Sequence, residues 1–264
     1  MPFIESDGVR IWYDVVGRGR PLVLLHGGAA DGSAWREAGY VSSLEADFRL
    51  ILIDQRGAGR SDKPHDSDAY LVDRKVADTL AVLADLGVRS FLVWGSSWGG
   101  DPAIELARRL PDQVEAAVLT GNYPGPSSAE GRQWVDDNLV KPVRARGMQA
   151  ILELALEWEG ETLPAWTGRQ ILETDPEAFV ATAIGHSRYP GISDAELASL
   201  SVPTLIILGD REDPDHRAER QARLMPRGSA VLLAGLDHVA AFERSDLTVP
   251  IFRKFLDEAG HPSH

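Results

Sequence analysis

The sequence predicts an α/β fold built on a mostly parallel, doubly wound sheet, with a helical segment inserted between two of its strands. Three observations lead to this prediction. Short continuous apolar runs recur along the chain, and such runs are typical of parallel strands that helices cover on both faces. Helical patterns lie between the runs, and this alternation indicates right-handed crossovers. One long segment, residues 122–201, interrupts the alternation because it contains helical patterns only.

Seven segments are predicted as strands. The first, residues 11–16, follows a turn at Asp7 and Gly8. The other six are the continuous apolar runs, and they cover residues 21–25, 50–53, 91–94, 114–120, 203–208 and 230–233. Because function in parallel sheets gathers at the carboxyl ends of strands, we expect the functional site in the loops that follow these runs.

Helical patterns complete the core and form the insertion. In the core they cover residues 72–86, 102–110, 217–225 and 249–259. In the insertion they cover residues 131–146, 148–159, 164–174 and 176–184. We therefore expect a core made of residues 1–121 and 202–264, and a helical cap made of residues 122–201.

The composition excludes several classes of function. The net charge is −13 and the pI is near 5.0, which argues against nucleic acid or an anionic membrane as a partner. The chain has no cysteine, so disulfides and cysteine metal sites are excluded. No stretch reaches the ~18 apolar residues of a membrane span. Residues 1–14 also lack the apolar region of a signal peptide, so we expect a cytoplasmic location.

No metal or organic cofactor is predicted. The histidines are scattered along the chain, and neither a phosphate-binding loop nor a zinc-protease motif occurs. We expect a small molecule as the partner of this protein, and the assembly of identical chains into an oligomer stays open.

A nucleophile turn is predicted at Ser97. Residues 95–99 match the pattern G-x-S-x-G, directly after the apolar run at 91–94 and before a helical segment. In that context the serine stands on a sharp turn, and the N-terminus of the next helix favours a developing negative charge. Without chemistry, the same residues would form a plain tight turn. Asp101 departs from this scheme, because a carboxylate near the serine disfavours an oxyanion.

His238 and an acid that precedes it in the chain are the predicted partners of Ser97. His238 follows the last predicted strand, and the order serine, acid, histidine is the one expected for a triad on this kind of sheet. The acid comes from the loop after the preceding strand, where Asp210, Glu212 and Asp213 all qualify. Asp213 also stands just before a helix, so a role as a helix cap competes with a role in the triad.

Four segments together resemble the serine-nucleophile branch of the α/β-hydrolase superfamily over nearly the whole chain. They are His26-Gly27-Gly28, residues 54–61, the turn around Ser97, and Asp237-His238. The chain looks similar to enol-lactonases and small carboxylesterases. The resemblance implies the α/β-hydrolase fold, with a helical cap inserted after the sixth strand.

The resemblance also implies an oxyanion hole, which is a pair of backbone amides that bind the negatively charged oxygen of the reaction intermediate. One amide would come from Gly28, with Ala29 as the neighbouring alternative. The other would come from Trp98, the residue after the nucleophile.

The acid of the family maps best to Asp213, which would complete a catalytic triad with Ser97 and His238. The interval from the strand-end glycine to Asp213 is one residue longer than expected. Asp210 and Glu212 therefore stay as alternatives.

These residues predict a serine hydrolase that cleaves a small, hydrophobic carboxylic ester or lactone by two-step acyl transfer. Aromatic side chains of the cap would roof the pocket, although packing between helices accounts for most of them; they are Tyr123, Trp134, Trp158, Trp166 and Tyr189. Hydrolysis of carbon–carbon bonds or amides, and peroxide-dependent chemistry, use the same triad. A small-molecule receptor of this fold and a lyase that uses His186 as an extra acid or base are further alternatives.

Overall fold

The computed structural model describes residues 3–159, 163–213 and 215–260. In these ranges eight strands form a single sheet. The strands are Phe3–Ser6 (β1), Val9–Val16 (β2), Arg20–Leu25 (β3), Phe48–Asp54 (β4), Phe91–Ser96 (β5), Val114–Thr120 (β6), Thr204–Gly209 (β7) and Gly228–Leu233 (β8). Their order across the sheet is β1-β2-β4-β3-β5-β6-β7-β8.

The sheet is mostly parallel, as the sequence predicts. Strands β3 to β8 run in one direction, while β2 pairs antiparallel with both β1 and β4. All seven predicted strands are present. Strand β1 is an addition that the sequence did not predict, because its four residues carry too short a pattern to separate a strand from an extended terminus.

Thirteen α-helices occur in the described ranges, and none of them is long and apolar enough to cross a membrane. They are Ala34–Glu37 (α1), Tyr40–Leu44 (α2), Val72–Asp85 (α3), Gly100–Arg109 (α4), Ala129–Val135 (α5), Lys141–Arg146 (α6), Gln149–Glu159 (α7), Ala165–Glu173 (α8), Pro176–Ser187 (α9), Asp194–Ser199 (α10), Arg217–Leu224 (α11), His238–Glu243 (α12) and Ser245–Glu258 (α13).

Helices cover both faces of the sheet, which explains why its strands have continuous apolar sequences. In β3, Val23 and Leu25 face one buried cluster with residues of α3, α4, α10 and α11. Leu22 and Leu24 face the opposite cluster with residues of α1, α2, α12 and α13. Successive side chains of a strand point to opposite faces, so a sheet covered on both faces needs apolar residues at every position.

Between β6 and β7, all regular structure in the described residues is helical. Helices α5 to α9 share a third buried cluster, which packs against Ala29 and Trp98 of the core. Helix α10 differs, because its buried Leu197 belongs to the cluster on the sheet. The division into a core and a cap at residues 122–201 remains a prediction.

The first predicted helix of the insertion, residues 131–146, is helical throughout in the structure but changes its winding in the middle. A π-helical turn at Asp136–Val140 separates α5 from α6. Pro142 lies at the start of α6 and has no amide hydrogen to donate to the preceding turn. The regular hydrogen-bond ladder therefore cannot continue through this point, and the wider π turn replaces it.

Candidate active site

Ser97 stands on a sharp turn between β5 and α4. Its φ of 48° is in the left-handed region, which is strained for a residue with a side chain. Glycines permit this turn because the backbone approaches closely on both sides. A Cβ on Gly95 would lie 2.2 Å from the Gly99 oxygen, and a Cβ on Gly99 would lie 2.2 Å from the Leu25 oxygen.

His238 begins α12, which follows the loop after β8, and its imidazole reaches Ser97. The Nε2 atom of His238 lies 3.0 Å from Ser97 Oγ. The backbone of Gly121 makes room for the ring, since a Cβ on Gly121 would lie 2.9 Å from His238 Cε1. The structure therefore brings together the two residues that the sequence pairs as nucleophile and base.

The acid beside His238 is Glu212. Its Oε1 atom lies 2.5 Å from His238 Nδ1. With Nδ1 donating to the carboxylate, Nε2 is free to accept the proton of the Ser97 hydroxyl. The other carboxylate oxygen, Oε2, is buried and accepts no hydrogen bond from the described residues. The negative charge of Glu212 is therefore directed at the imidazole.

The structure corrects the prediction of Asp213 as the acid. Asp213 is fully buried and accepts hydrogen bonds from the amides of Arg217 and Ala218, at 3.0 and 2.8 Å. These are the first amides of α11, which have no partner within the helix, so Asp213 acts as a helix cap. The third alternative, Asp210, accepts from the amide of Gly235 at 2.8 Å and joins the loops after β7 and β8.

The interval between the strand-end glycine and the acid points to Glu212, although aspartate is the commoner residue type in this role. Counted from Gly209, the interval to Asp213 is one residue too long, and Glu212 stands at the expected distance. In the structure the Glu212 amide donates to the Gly209 oxygen at 3.2 Å, which closes a turn directly after β7. The commoner aspartate favours Asp213, whereas the geometry favours the longer side chain one residue earlier.

The two residues predicted to form the oxyanion hole lie in contact beside the nucleophile. A Cβ on Gly28 would lie 2.7 Å from Cε3 of the Trp98 ring, so Gly28 carries the indole directly on its backbone. The preceding Gly27 approaches Ser97, because its own Cβ would lie 3.0 Å from Ser97 Cβ. The loop after β3 therefore reaches the nucleophile turn.

A neutral histidine anchors this loop. His26 is buried, and its Nε2 atom accepts a hydrogen bond from the Gln55 amide at 3.0 Å. Its Nδ1 atom donates to the Gly27 oxygen at 2.8 Å. Burial lowers the pKa of His26, which keeps the ring neutral and suited to one donor and one acceptor contact.

The carboxylate of Asp101 is held by two side chains. Its Oδ2 atom lies 2.9 Å from His186 Nδ1 in cap helix α9. Asn122 donates through Nδ2 to Asp101 Oδ1 at 3.1 Å and to the Ser97 backbone oxygen at 3.0 Å. Asp101 therefore links α4 to α9. The lyase alternative needed His186 as an acid or base, and the structure places its ring on Asp101 and on the Trp98 indole.

Aromatic rings from the helices between β6 and β7 lie beside the site. Phe179 stacks on Trp98 with ring centroids 5.3 Å apart. Trp158 meets His238 edge-on at 6.3 Å, and Trp134 stacks on Trp158 at 5.7 Å. Trp134 and Trp158 are each 41% exposed, so this pair lies at the surface beside His238. Packing between helices does not account for so much exposed indole.

The remaining cap aromatics lie elsewhere. The Arg217 guanidinium lies over the Tyr123 ring, with its Cζ atom 4.8 Å from the ring centroid. The Tyr189 hydroxyl donates to Glu105 at 2.8 Å. Trp166 is half-buried on α8. In the described ranges, no three histidine or acidic side chains lie close enough together to hold a metal ion.

Comparison with known proteins identifies the family. A family model for the alpha/beta hydrolase fold matches residues 20–244. A non-heme haloperoxidase from Rhodococcus erythropolis is 30% identical over 260 residues, which cover 90% of this chain and 93% of that protein.

Two solved structures have the same fold at lower identity. A thermophilic esterase from Thermogutta terrifontis has a TM-score of 0.84 at 24% identity, covering 98% of this chain and 97% of that one. An enol-lactonase from Burkholderia xenovorans has a TM-score of 0.81 at 21% identity, covering 97% and 100%. The family match over most of the chain shows that this protein belongs to the α/β hydrolase fold family and is an enzyme of that family.

Proposed function

We propose that this enzyme is a serine hydrolase that cleaves a small carboxylic ester or lactone through an acyl-enzyme. One observation carries the proposal. Ser97 Oγ, the two ring nitrogens of His238 and Glu212 Oε1 form a continuous line of contacts at 3.0 and 2.5 Å. This arrangement activates a hydroxyl that is otherwise a weak nucleophile.

In the first step, Ser97 Oγ attacks the carbonyl carbon while His238 Nε2 accepts the hydroxyl proton. The carbonyl π electrons move onto the oxygen and give a tetrahedral oxyanion. Glu212 stabilises the imidazolium through Nδ1 and holds the ring in its productive tautomer. When the intermediate collapses, His238 donates its proton to the leaving alkoxide, and the acyl group stays on Ser97.

In the second step, water replaces the alcohol. His238 accepts a proton from the water as its oxygen attacks the acyl carbon, and then returns that proton to Ser97 as the acid leaves. Backbone amides of Gly28 and Trp98 stabilise the oxyanion of both steps in this proposal. Each such donor is typically worth about 2.7–4 kcal/mol of barrier lowering.

The surroundings of the nucleophile support an ester or lactone as the substrate. The Phe179 and Trp98 rings offer apolar contact on one side of Ser97, and the exposed pair Trp134 and Trp158 offers it near His238. The solved structures that share the fold include an esterase and an enol-lactonase. Residues 122–201 would then act as the cap that roofs the pocket.

Peroxide-dependent acyl transfer is a second candidate, and the 30% identical haloperoxidase is the observation that favours it. The acyl-enzyme is the same. Hydrogen peroxide would take the place of water in the second step, and the product would be a peracid. Peracid formation should be measured when peroxide is added during ester turnover. This measurement distinguishes transfer of the acyl group to peroxide from its hydrolysis by water.

The test of the main proposal is labelling with a fluorophosphonate probe, with the labelled residue mapped by mass spectrometry. Wild type should be labelled at Ser97 and should cleave 4-nitrophenyl esters of short acids. Ser97→Ala should lose both the label and at least about 10³-fold of the turnover, since the nucleophile is gone. Ser127→Ala, at a residue of the loop that precedes α5, is the matched control and should behave as wild type.

Labelling at a residue other than Ser97, or full turnover by Ser97→Ala, would contradict the proposal. A folded wild type that neither reacts with the probe nor cleaves any ester would point to the receptor alternative. That alternative expects ligand binding without turnover.

A further inference from the structure

A small cavity lies behind the proposed oxyanion hole. Its volume is about 30 Å³, and its wall includes Gly28, Trp98, Phe179 and Thr182. That volume accommodates one or two water molecules or one small polar group. The cavity lies where the nucleophile turn, the loop after β3 and cap helix α9 meet. Neither Ser97 nor His238 lines it.

The cavity wall has a positive charge and no carboxylate. Lys75 and Arg56 line it, and no aspartate or glutamate does. Arg56 is paired with Asp78, which does not line the cavity, so the excess positive charge of the wall comes from Lys75. Such a wall favours an anionic occupant.

Lys75 is the cation that has no counterion. It lies on α3 with only 4% of its surface exposed. No hydrogen bond or ion pair joins its ammonium to another residue in the described ranges. A buried ammonium without a partner is costly, and proteins normally pair such a group or use it.

The nearby carboxylates are already engaged by other groups. Asp78 holds Arg56 through two hydrogen bonds of 2.6 and 2.7 Å. Asp101 accepts from Asn122 and pairs with His186. Arg56 is thereby neutralised. Neither Asp78 nor Asp101 forms an ion pair with Lys75, so among the described residues the Lys75 ammonium is the charge of the cavity wall that lacks a direct partner.

We propose that Lys75 binds a carboxylate of the substrate, so that the preferred ester is a monoester of a short dicarboxylic acid or a related acidic lactone. This inference rests on the proposed function and narrows its substrate class. The ammonium would donate hydrogen bonds to the carboxylate oxygens, and the rings of Phe179 and Trp98 would cover the carbon chain.

The carboxylate belongs to the acyl part of the substrate. The leaving group must lie within reach of His238, which protonates it. The cavity lies instead beside Gly28 and Trp98, the proposed oxyanion donors, and His238 does not line it. A group that enters this cavity while the carbonyl oxygen contacts the oxyanion hole is therefore attached on the acyl side.

The kinetic test compares two 4-nitrophenyl esters of similar length, the monoester of glutaric acid and the neutral pentanoate. The measured quantity is the ratio of kcat/KM for the acidic ester over the neutral one. In Lys75→Met this ratio should fall about 30-fold or more, because a buried charge pair is lost. Lys254→Met removes an exposed lysine on α13 and should leave the ratio unchanged. An unchanged ratio in Lys75→Met would overturn the proposal.

A binding test does not depend on turnover. Glutarate should bind to Ser97→Ala, with the affinity measured by calorimetry, and Lys75→Met in the same background should weaken that binding about 30-fold or more. Lys75→Gln is a second variant that keeps a polar side chain but removes the charge, and it should weaken binding likewise. If wild type fails to cleave esters yet glutarate binding depends on Lys75, the proposed reaction fails and the carboxylate site stands.

The source of the anion is tested in the same experiment. If chloride or bicarbonate binds in a Lys75-dependent way and glutarate does not, the cavity holds a free inorganic anion. That result would overturn the assignment of Lys75 to the substrate. Equal glutarate binding by Ser97→Ala with and without Lys75→Met would overturn it as well.

Discussion

Glu212 and Asp213 are adjacent in the chain, yet their carboxylates contact different parts of the molecule. Glu212 Oε1 lies 2.5 Å from His238 Nδ1. Asp213 faces away from the imidazole and accepts the first two amides of helix α11. One carboxylate is placed to affect catalysis and the other to affect stability, so substitutions at the two positions should separate these effects.

We expect Glu212→Gln to lower kcat by about 10³- to 10⁴-fold while the protein stays folded. An amide cannot stabilise the imidazolium, and its NH₂ group favours the tautomer of His238 that cannot accept the Ser97 proton. The measurement is steady-state turnover of a 4-nitrophenyl ester, with circular dichroism as the check on the fold.

The matched variant, Asp213→Asn, should act on stability instead. Asparagine has one acceptor oxygen, whereas Asp213 accepts one amide on each oxygen, so one buried amide loses its partner. The free energy of unfolding is expected to fall by about 1–2 kcal/mol, with kcat changed by only a few-fold. Urea denaturation provides the stability measurement. If folded Asp213→Asn loses turnover and Glu212→Gln keeps it, the assignment of the acid from this geometry is wrong.

Gly28→Ala should impair catalysis by displacing Trp98. The added Cβ would lie 2.7 Å from the indole, which cannot retreat easily because Phe179 stacks on it. We expect kcat/KM to fall by at least about tenfold, given the cost of misplacing an oxyanion donor. Gly131→Ala, in the exposed helix α5, is the control. A Cβ on Gly131 would lie 3.5 Å from Ser128 Oγ, an ordinary contact, so this variant should retain wild-type activity. Wild-type kinetics for Gly28→Ala would show that the contact with Trp98 is irrelevant to catalysis.

The preference for the acidic ester should depend on pH through Lys75. Burial lowers the pKa of this ammonium to about 8, and the charges that act on it come from Arg56, Asp78 and Asp101, with the neutral His26 nearby. The charged form binds the carboxylate, so the kcat/KM ratio of acidic over neutral ester should be constant below pH 8. Above pH 8 it should fall, approaching about tenfold for each pH unit. A ratio that is flat from pH 7 to pH 9 would contradict this role of Lys75.

Lys75→Met should also stabilise the folded protein at neutral pH. The pKa of Lys75 is lowered from 10.5 to about 8 on folding, which corresponds to about 3 kcal/mol of cost while the lysine is protonated in both states. Between about pH 8 and 10.5 the unfolded chain binds more protons than the folded protein, so wild-type stability rises with pH in that window. The advantage of the variant should therefore be full at pH 7 and should shrink toward pH 10. Urea denaturation at several pH values measures it, and a variant less stable than wild type at pH 7 would show that the ammonium is compensated in the folded state.

The sequence by itself determined the parallel sheet, because strands covered on both faces need continuous apolar runs that can be recognised locally. It also indicated the turn around Ser97, since two glycines flanking a serine between a strand and a helix form a local pattern. His238 followed from chain order. These features depend on residues that are close together in the sequence or on the direction of the chain through the sheet.

Only the tertiary structure decided which carboxylate contacts His238. The loop after β7 presents several acids within a few residues, and the choice depends on how the loop turns against the loop after β8. A helix that starts a few residues later takes the buried Asp213 as its cap, which leaves Glu212 for the imidazole. From the local sequence, either carboxylate could be the helix cap or the partner of His238.

The tertiary structure likewise decided the environment of Lys75. The helical pattern of residues 72–86 places Val72, Val76, Leu80, Leu83 and Leu86 on one apolar stripe, and Lys75 lies at the edge of that stripe, three residues after Val72. In the structure Lys75 is buried, and the cavity beside it is lined by residues distant in sequence, such as Arg56 and Phe179. A helical pattern reveals the face that packs on the sheet. It cannot show which polar residue at the edge of that face becomes buried, because that depends on where the rest of the chain folds back.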